Sequence, residues 1–146
     1  MDKPNISVIG LGYVGLPVSV AFADAGYKVI GFDINKERIE QLKNNFDKTK
    51  EINTARLEKC NVNFTFFKSK LSNSNFHIIT VPTPINEFKK PDFKHIISAS
   101  ELLAKLLKKN DIVVYESTVY PGATEEIAIP ILEKISGMKI NRYFSV

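Results

Sequence analysis

The chain is predicted to be an α/β protein built on a doubly wound parallel sheet, and three observations lead there. Short β-branched runs alternate with longer helical patterns along the chain, as parallel strands joined by right-handed crossovers require. The strand-like runs are apolar throughout rather than at alternate positions, which suits a sheet covered on both faces. A glycine-rich turn stands between the first such run and the first helical pattern. The length of 146 residues is that of one ordinary domain, and 44% hydrophobic with 25% charged residues is a globular balance rather than a disordered one.

Asn5–Ile9 is a compact apolar run ending at glycine and is predicted as the first strand. Val14–Ala25, apolar on most faces, is predicted as a helix lodged in the core. Lys28–Phe32 forms a second strand, after which Asn35 can cap a helix that runs to Asn45 and turns Ile39 and Leu42 to one side. The polar, lysine-rich stretch Phe46–Asn61 is predicted as a loop with one helical turn at Thr54–Lys59. Asn63–Phe67 and Phe76–Val81 are further strands. Asp92 is expected to cap a long amphipathic helix, with Ile96, Ile97, Leu102, Leu103, Leu106 and Leu107 on its buried side. Asp111–Tyr115 is another strand and Gly122–Ile135 another helix, kinked at Pro130. Asn141–Val146 begins like a strand, so the chain is expected to be one domain of a longer protein.

Composition narrows the function classes. The net charge of +4 comes from scattered lysines and is that of a solvated surface; no basic cluster interleaved with aromatics suggests a nucleic-acid partner. No apolar run approaches the ~18 residues of a membrane span. The stretch from Met1-Asp2-Lys3-Pro4-Asn5 onward is broken by glycines and is not a signal peptide. Cys60 alone can form neither an internal disulfide nor a structural zinc set, and nothing else suggests a metal. A reduced, cytoplasmic protein is expected.

Gly10-Leu11-Gly12-Tyr13-Val14-Gly15 matches G-x-G-x-x-G between strand and helix. Gly10 permits the tight turn, Gly12 lets backbone approach a pyrophosphate, and Gly15 lets the helix pack on the sheet. The free N–H groups and positive dipole end of the helix hold the phosphate charge. Asp33, at the end of the second strand and about 20 residues on, accepts ribose hydroxyls and repels a 2′-phosphate, favouring NAD over NADP. Lys36 and Arg38 nearby temper that preference. The order of strand, glycines, helix, strand and acid specifies a Rossmann-type dinucleotide-binding domain with NAD as cofactor.

Two motifs follow later strands. Val81-Pro82-Thr83-Pro84 makes a rigid turn that presents the Thr83 hydroxyl to the cofactor crevice. Glu116-Ser117-Thr118-Val119-Tyr120-Pro121-Gly122 crosses from strand to helix, and its Ser117 and Thr118 are either helix caps or ligand contacts. His77, His95 and Cys60 are expected to be structural or bystander residues.

Together, GLGYVGLP, Asp33, VPTP and ESTVYPGATEE resemble the amino-terminal domain of the UDP-glucose/GDP-mannose dehydrogenase family over essentially the whole chain. The likeness of Phe46–Glu51 and Tyr115–Gly122 is to the UDP-N-acetylhexosamine branch of the Vi-antigen type. The resemblance implies oxidation of a UDP-sugar C6 alcohol to the uronate with two NAD, for polysaccharide biosynthesis. The intermediate would be held on a cysteine of a further domain, as a thiohemiacetal and then a thioester. It also implies pyrophosphate contacts from Gly12, Tyr13 and Val14, ribose contacts from Asp33 and Arg38, and a nicotinamide side lined by Thr83 and Thr118. Thr118 is the residue implied to orient a catalytic water or carboxylate, and a homodimer is implied for the full-length enzyme. The family's Ser-Pro-Glu-Arg, lysine and Gly-Gly-x-Cys-Phe-Pro segments do not occur in these 146 residues, so the chain alone is expected to bind NAD without turnover. A stand-alone NAD-sensing module, or the cofactor domain of a hydroxyacid or hydroxyacyl-thioester dehydrogenase, are the competing readings.

Overall fold

The computed structural model describes residues 3–146; Met1 and Asp2 of the amino-terminal stretch lie outside the described residues. Five parallel strands form one sheet: β1 (Ile6–Ile9), β2 (Val29–Phe32), β3 (Val62–Thr65), β4 (Phe76–Ile79) and β5 (Ile112–Tyr115). Their spatial order is β3-β2-β1-β4-β5. Pairing of Ile6 with Val29 on one side and with Phe76 on the other fixes β1 at the centre. The chain winds outward to β3 and then crosses back to β4, so the strand order reverses beside β1. Ligands of open α/β sheets bind outside the carboxyl ends of the strands at such a reversal.

Helices α1 (Gly15–Asp24), α2 (Lys36–Lys43) and α3 (Thr54–Lys59) belong to the first half of the chain, and α4 (Lys94–Ala104) and α5 (Ile129–Ser136) to the second. One core gathers Ile6, Val8, Leu16, Val20, Ile39 and Leu42. The other gathers Ile9, Ile79, Leu103, Val113 and Leu132. Alternate residues of β1 thus feed opposite faces, as the strand period of two requires.

Local signals set most boundaries. The Asn35 side chain accepts from the Arg38 N–H, and that of Asn53 accepts from the Arg56 N–H, so both helices start where their caps predict. β3 starts at Val62 and ends at Thr65, earlier than expected, because the Thr65 hydroxyl accepts from the Phe67 N–H and turns the chain. A 3₁₀ segment at Lys68–Asn73 was not foreseen. The cap of α4 is Phe93 rather than Asp92; the Asp92 carboxylate still accepts from the Lys94 N–H, one residue out of place. That helix stops at Ala104, and Leu106 and Leu107 reach the core from the turn beyond it.

The expected Gly122–Ile135 helix is two pieces, a π-helical turn at Thr124–Ala128 and then α5. Pro130 has no N–H to return to the preceding turn. The chain widens instead, and the Ile129 N–H reaches the carbonyl of Thr124, five residues back. At the far edge, Ser145 pairs in parallel with Ile112, as the strand-like start at Asn141–Val146 anticipates. Among the described residues no helix is long and apolar enough to cross a membrane.

Candidate functional site: a nucleotide cleft at the strand reversal

The turn after β1 is held from several sides. The Gly10 N–H donates to the Phe32 carbonyl at 2.8 Å. The Gly10 carbonyl accepts the Thr80 hydroxyl at 2.6 Å. Gly10 has φ +99°, which disfavours any side chain there. Gly15 is demanded by packing, since a Cβ would lie 1.7 Å from the Gly10 oxygen and 2.5 Å from Thr80 Oγ1. Gly12 is different: its φ is not in the left-handed region, and a Cβ would meet no protein atom within 4 Å. The fold has no use for a glycine there, whereas a ligand lying against the backbone does.

No side chain caps α1, and Pro17 sits in its first turn. The N–H groups of its first turn are therefore not met by a capping side chain, and the positive end of the helix dipole lies at the glycine turn. Tyr13 and Val14 are exposed on the same loop. Asp33 stands directly after β2, where Oδ2 accepts from the Leu11 N–H at 2.9 Å and Oδ1 from the Asn35 N–H at 2.9 Å. These two donors fix the carboxylate at the end of its strand and leave it only partly covered.

A cleft of about 440 Å³ opens beside Gly10 and Asp33. Gly10, Asp33, Ile34 and Val81 border it, and Ala99 and Leu102 of α4 give it an apolar wall. Leu102 and Leu106 follow the helical period of core residues, so the sequence could not distinguish lining this cleft from filling the interior. His95 and Lys68 also border it, without a prior signal.

Arg38 lies under the turn, 3% exposed. Its Nε donates to the Leu11 carbonyl at 2.8 Å, and Nη1 is 2.9 Å from Asp47 Oδ1. The guanidinium thus lies beneath the loop that carries Leu11, with Nη2 buried and without a hydrogen-bond partner among the described residues. Burial pushes the Asp47 carboxyl upward, but hydrogen bonds from the Thr49 hydroxyl, the Ile52 and Thr49 N–H groups and Arg38 outweigh it and hold the pKa at about 2.

The two later motifs meet. Ser117 Oγ donates to the Val81 carbonyl at 2.6 Å, and Thr83 Oγ1 donates to the Thr118 carbonyl at 2.6 Å. Neither Ser117 nor Thr118 caps a helix, because none begins before Thr124. Thr118 is exposed at the mouth of the sheet. Below, at the end of β5, burial pushes the Tyr115 hydroxyl up to about 12 against the lowering effect of Ser100.

Sequence reasoning missed one polar arrangement. Ser7 Oγ lies 2.6 Å from His77 Nδ1, and His77 Nε2 lies 3.3 Å from Asp111 Oδ2. The order imitates a nucleophilic triad, yet Ser7 and His77 are 0% and Asp111 2% exposed. No substrate reaches it, so it ties β1, β4 and the entry to β5 together. Cys60 is half-buried, and burial raises its thiol pKa, as suits an unreactive residue. Among the described residues no cluster of His, Cys, Asp and Glu could hold a metal ion.

Comparison with known proteins accords with this geometry. Residues 4–146 match the model of the UDP-glucose/GDP-mannose dehydrogenase family, NAD binding domain. A UDP-N-acetyl-D-glucosamine 6-dehydrogenase of Pseudomonas aeruginosa is 51% identical over 99% of this chain and 34% of its own length. The enzyme of the same name from Salmonella typhi is 50% identical over 100% of this chain and 34% of its own. The crystal structure of a ternary complex of GDP-mannose dehydrogenase from Pseudomonas aeruginosa superposes with a TM-score of 0.92 at 28% identity, covering 97% of this chain and 35% of that one. The chain thus spans about a third of the length of the relatives it matches. With the glycine turn, the strand-end carboxylate and the cleft all in place, the chain belongs to the UDP-glucose/GDP-mannose dehydrogenase family and corresponds to its NAD-binding domain.

Proposed function

We propose that this chain is the cofactor-binding part of a UDP-N-acetylhexosamine 6-dehydrogenase that serves polysaccharide biosynthesis in the cytoplasm. The observation that carries the substrate class is the half-identity to two enzymes named for UDP-N-acetyl-D-glucosamine, across nearly all of this chain. The enzyme oxidises the C6 alcohol to the uronate with two NAD.

Bound NAD supplies the hydride acceptor for that oxidation. The chain's own residues bind and orient it. Gly12, Tyr13 and Val14 give backbone N–H groups and close approach to the pyrophosphate, with the α1 dipole behind them. Asp33, its carboxylate already fixed by Leu11 and Asn35, accepts the adenosine ribose hydroxyls. Arg38, anchored beneath the turn on the Leu11 carbonyl, joins Asp33 in holding the adenosine ribose. Thr83 and Thr118 line the nicotinamide side, where the exposed Thr118 hydroxyl orients a water or carboxylate at the reacting carbon. These 146 residues alone bind NAD but do not oxidise a sugar, because hydride transfer needs the sugar held against the nicotinamide and the family's cysteine segment is not among them.

The test has two arms. Calorimetric titration of the 146-residue chain with NAD should show saturable binding and no NADH on adding UDP-sugar. The polypeptide carrying this chain together with the remaining two-thirds of the family's length should form NADH faster with UDP-N-acetylglucosamine than with UDP-glucose. A preference for UDP-glucose overturns the substrate class, and failure to bind NAD overturns the cofactor placement.

A further inference from the structure

The glycine turn contains one peptide whose orientation matters to the cofactor and which its own glycine leaves free. Gly10 has φ +99°, and a glycine populates both halves of backbone space with similar ease. The peptide that joins Gly10 to Leu11 therefore needs an outside hold to keep one orientation. Its two ends meet different partners. The Leu11 N–H donates to Asp33 Oδ2 at 2.9 Å, and the Gly10 carbonyl accepts the Thr80 hydroxyl at 2.6 Å.

Thr80 follows β4 directly and is 8% exposed. Its N–H donates to the Ile9 carbonyl at 2.9 Å and so continues the ladder between β4 and β1. The side chain then adds a rung beyond the backbone ladder, since Oγ1 lies 3.2 Å from the Ile9 carbonyl and 2.6 Å from that of Gly10. Gly15 leaves the room for it: a Cβ there would stand 2.5 Å from Thr80 Oγ1. The hydroxyl thus grips the turn from the protein side, while Gly10 and Asp33 border the cleft. A valine would fill much the same volume and donate nothing.

We propose that Thr80 is a positioning residue for NAD: its hydroxyl locks the Gly10–Leu11 peptide so that the Leu11 N–H holds the Asp33 carboxylate in place for the adenosine ribose. Without that bond the peptide is free to turn, and of the two donors that fix Asp33 only the Asn35 N–H remains. The inference rests on the ribose role proposed above for Asp33.

The experiment measures NAD dissociation constants by calorimetry for the 146-residue chain, Thr80→Val, Thr80→Ser, Asp33→Ala and the Thr80→Val/Asp33→Ala double variant. Circular dichroism checks the fold of each. Thr80→Val should weaken NAD about tenfold, the equivalent of loosening one hydrogen bond to a charged group. Thr80→Ser keeps the hydroxyl and should stay within about twofold of the wild type. In the Asp33→Ala background the valine should cost about threefold or less, because the group it acts through is gone. A hydroxyl that only stabilises the fold would lower Tm and leave the dissociation constant unchanged, or weaken NAD equally in both backgrounds. Either result overturns the proposal, as does a serine variant that binds no better than the valine one. If Thr80→Val does not fold, Thr80→Ala removes the same donor and should show the same loss, and unchanged affinity overturns the proposal. An Asp33→Ala chain that binds NAD as tightly as the wild type overturns the ribose placement itself, and the proposal falls with it.

Discussion

Gly12 and Gly15 stand three residues apart in one motif, yet the structure assigns them opposite kinds of necessity. Gly15→Ala would place a methyl 1.7 Å from the Gly10 oxygen, where ordinary contact begins at 3.4 Å. The start of α1 must then retreat from the turn by roughly 1.5 Å, at a cost of about 1–3 kcal/mol for overpacking against backbone. The same movement strains the 2.6 Å hydrogen bond from Thr80 to Gly10, which adds about 1 kcal/mol. A destabilisation of roughly 2–4 kcal/mol lowers Tm by about 10 °C in a chain of this size. Gly12→Ala meets no protein atom, and a narrower unfolded ensemble should leave stability unchanged or raise it by about 0.4–1 kcal/mol. Its methyl would nevertheless stand where the pyrophosphate approaches, weakening charge-assisted hydrogen bonds by about 1.5–3 kcal/mol, or tenfold and more in affinity. Urea denaturation and NAD titration of both variants provide the assay. Equal losses of stability, or a Gly12→Ala chain that binds NAD as tightly as the wild type, would refute the division of roles.

Asp33→Ala should weaken NAD binding by about 1–3 kcal/mol through loss of the ribose acceptor, and unchanged affinity in calorimetry would place the nucleotide elsewhere. His77→Ala should destabilise by about 2–4 kcal/mol, since it opens a cavity, leaves the buried Ser7 hydroxyl without its partner and leaves Asp111 only the Lys108 N–H; a loss below about 1 kcal/mol in denaturant melts would show the arrangement to be dispensable. Asp47, with its pKa lowered from 3.8 to about 2, contributes stability that is fully present above its unfolded value and lost as pH falls through the folded one. Acid titration should therefore remove about 2 kcal/mol between pH 4 and pH 2, and Asp47→Asn should flatten that part of the curve. Tyr115, raised to about 12, should stay protonated in ultraviolet titration up to pH 11, with stability declining only as pH climbs from 10 toward 12.

Much of this molecule was legible in its sequence because the deciding signals are local. The strands declare themselves as short apolar runs, and the Asn35 and Asn53 caps act within three residues of their own positions. The turn at Thr54–Lys59 is found where the polar stretch was expected to contain it. The glycine motif and Asp33 converge because strand, turn and strand are adjacent in the sheet. What escaped depends on partners distant along the chain. His77 gives no sign of its role until Ser7, 70 residues away, and Asp111, 34 away, arrive beside it. Arg38 reads in sequence as a cation near Asp33 and a ribose contact, and only the fold of the following loop brings Asp47 against it. The five-residue turn before Pro130 arises from a missing donor whose consequence depends on how the neighbouring turn can relax.

The paired bonds between the loops after β4 and β5 have a mechanical consequence. Ser117 reaches back to Val81 while Thr83 reaches forward to Thr118, so the two connections form a closed ring stiffened by Pro82 and Pro84. Neither loop can lift by itself without breaking a bond to the other. The ring should therefore open and close as one cooperative unit, and the amides on both of its sides should exchange with solvent at a common rate. A load applied to either rim, by cofactor or by neighbouring polypeptide, would be shared across both strand ends.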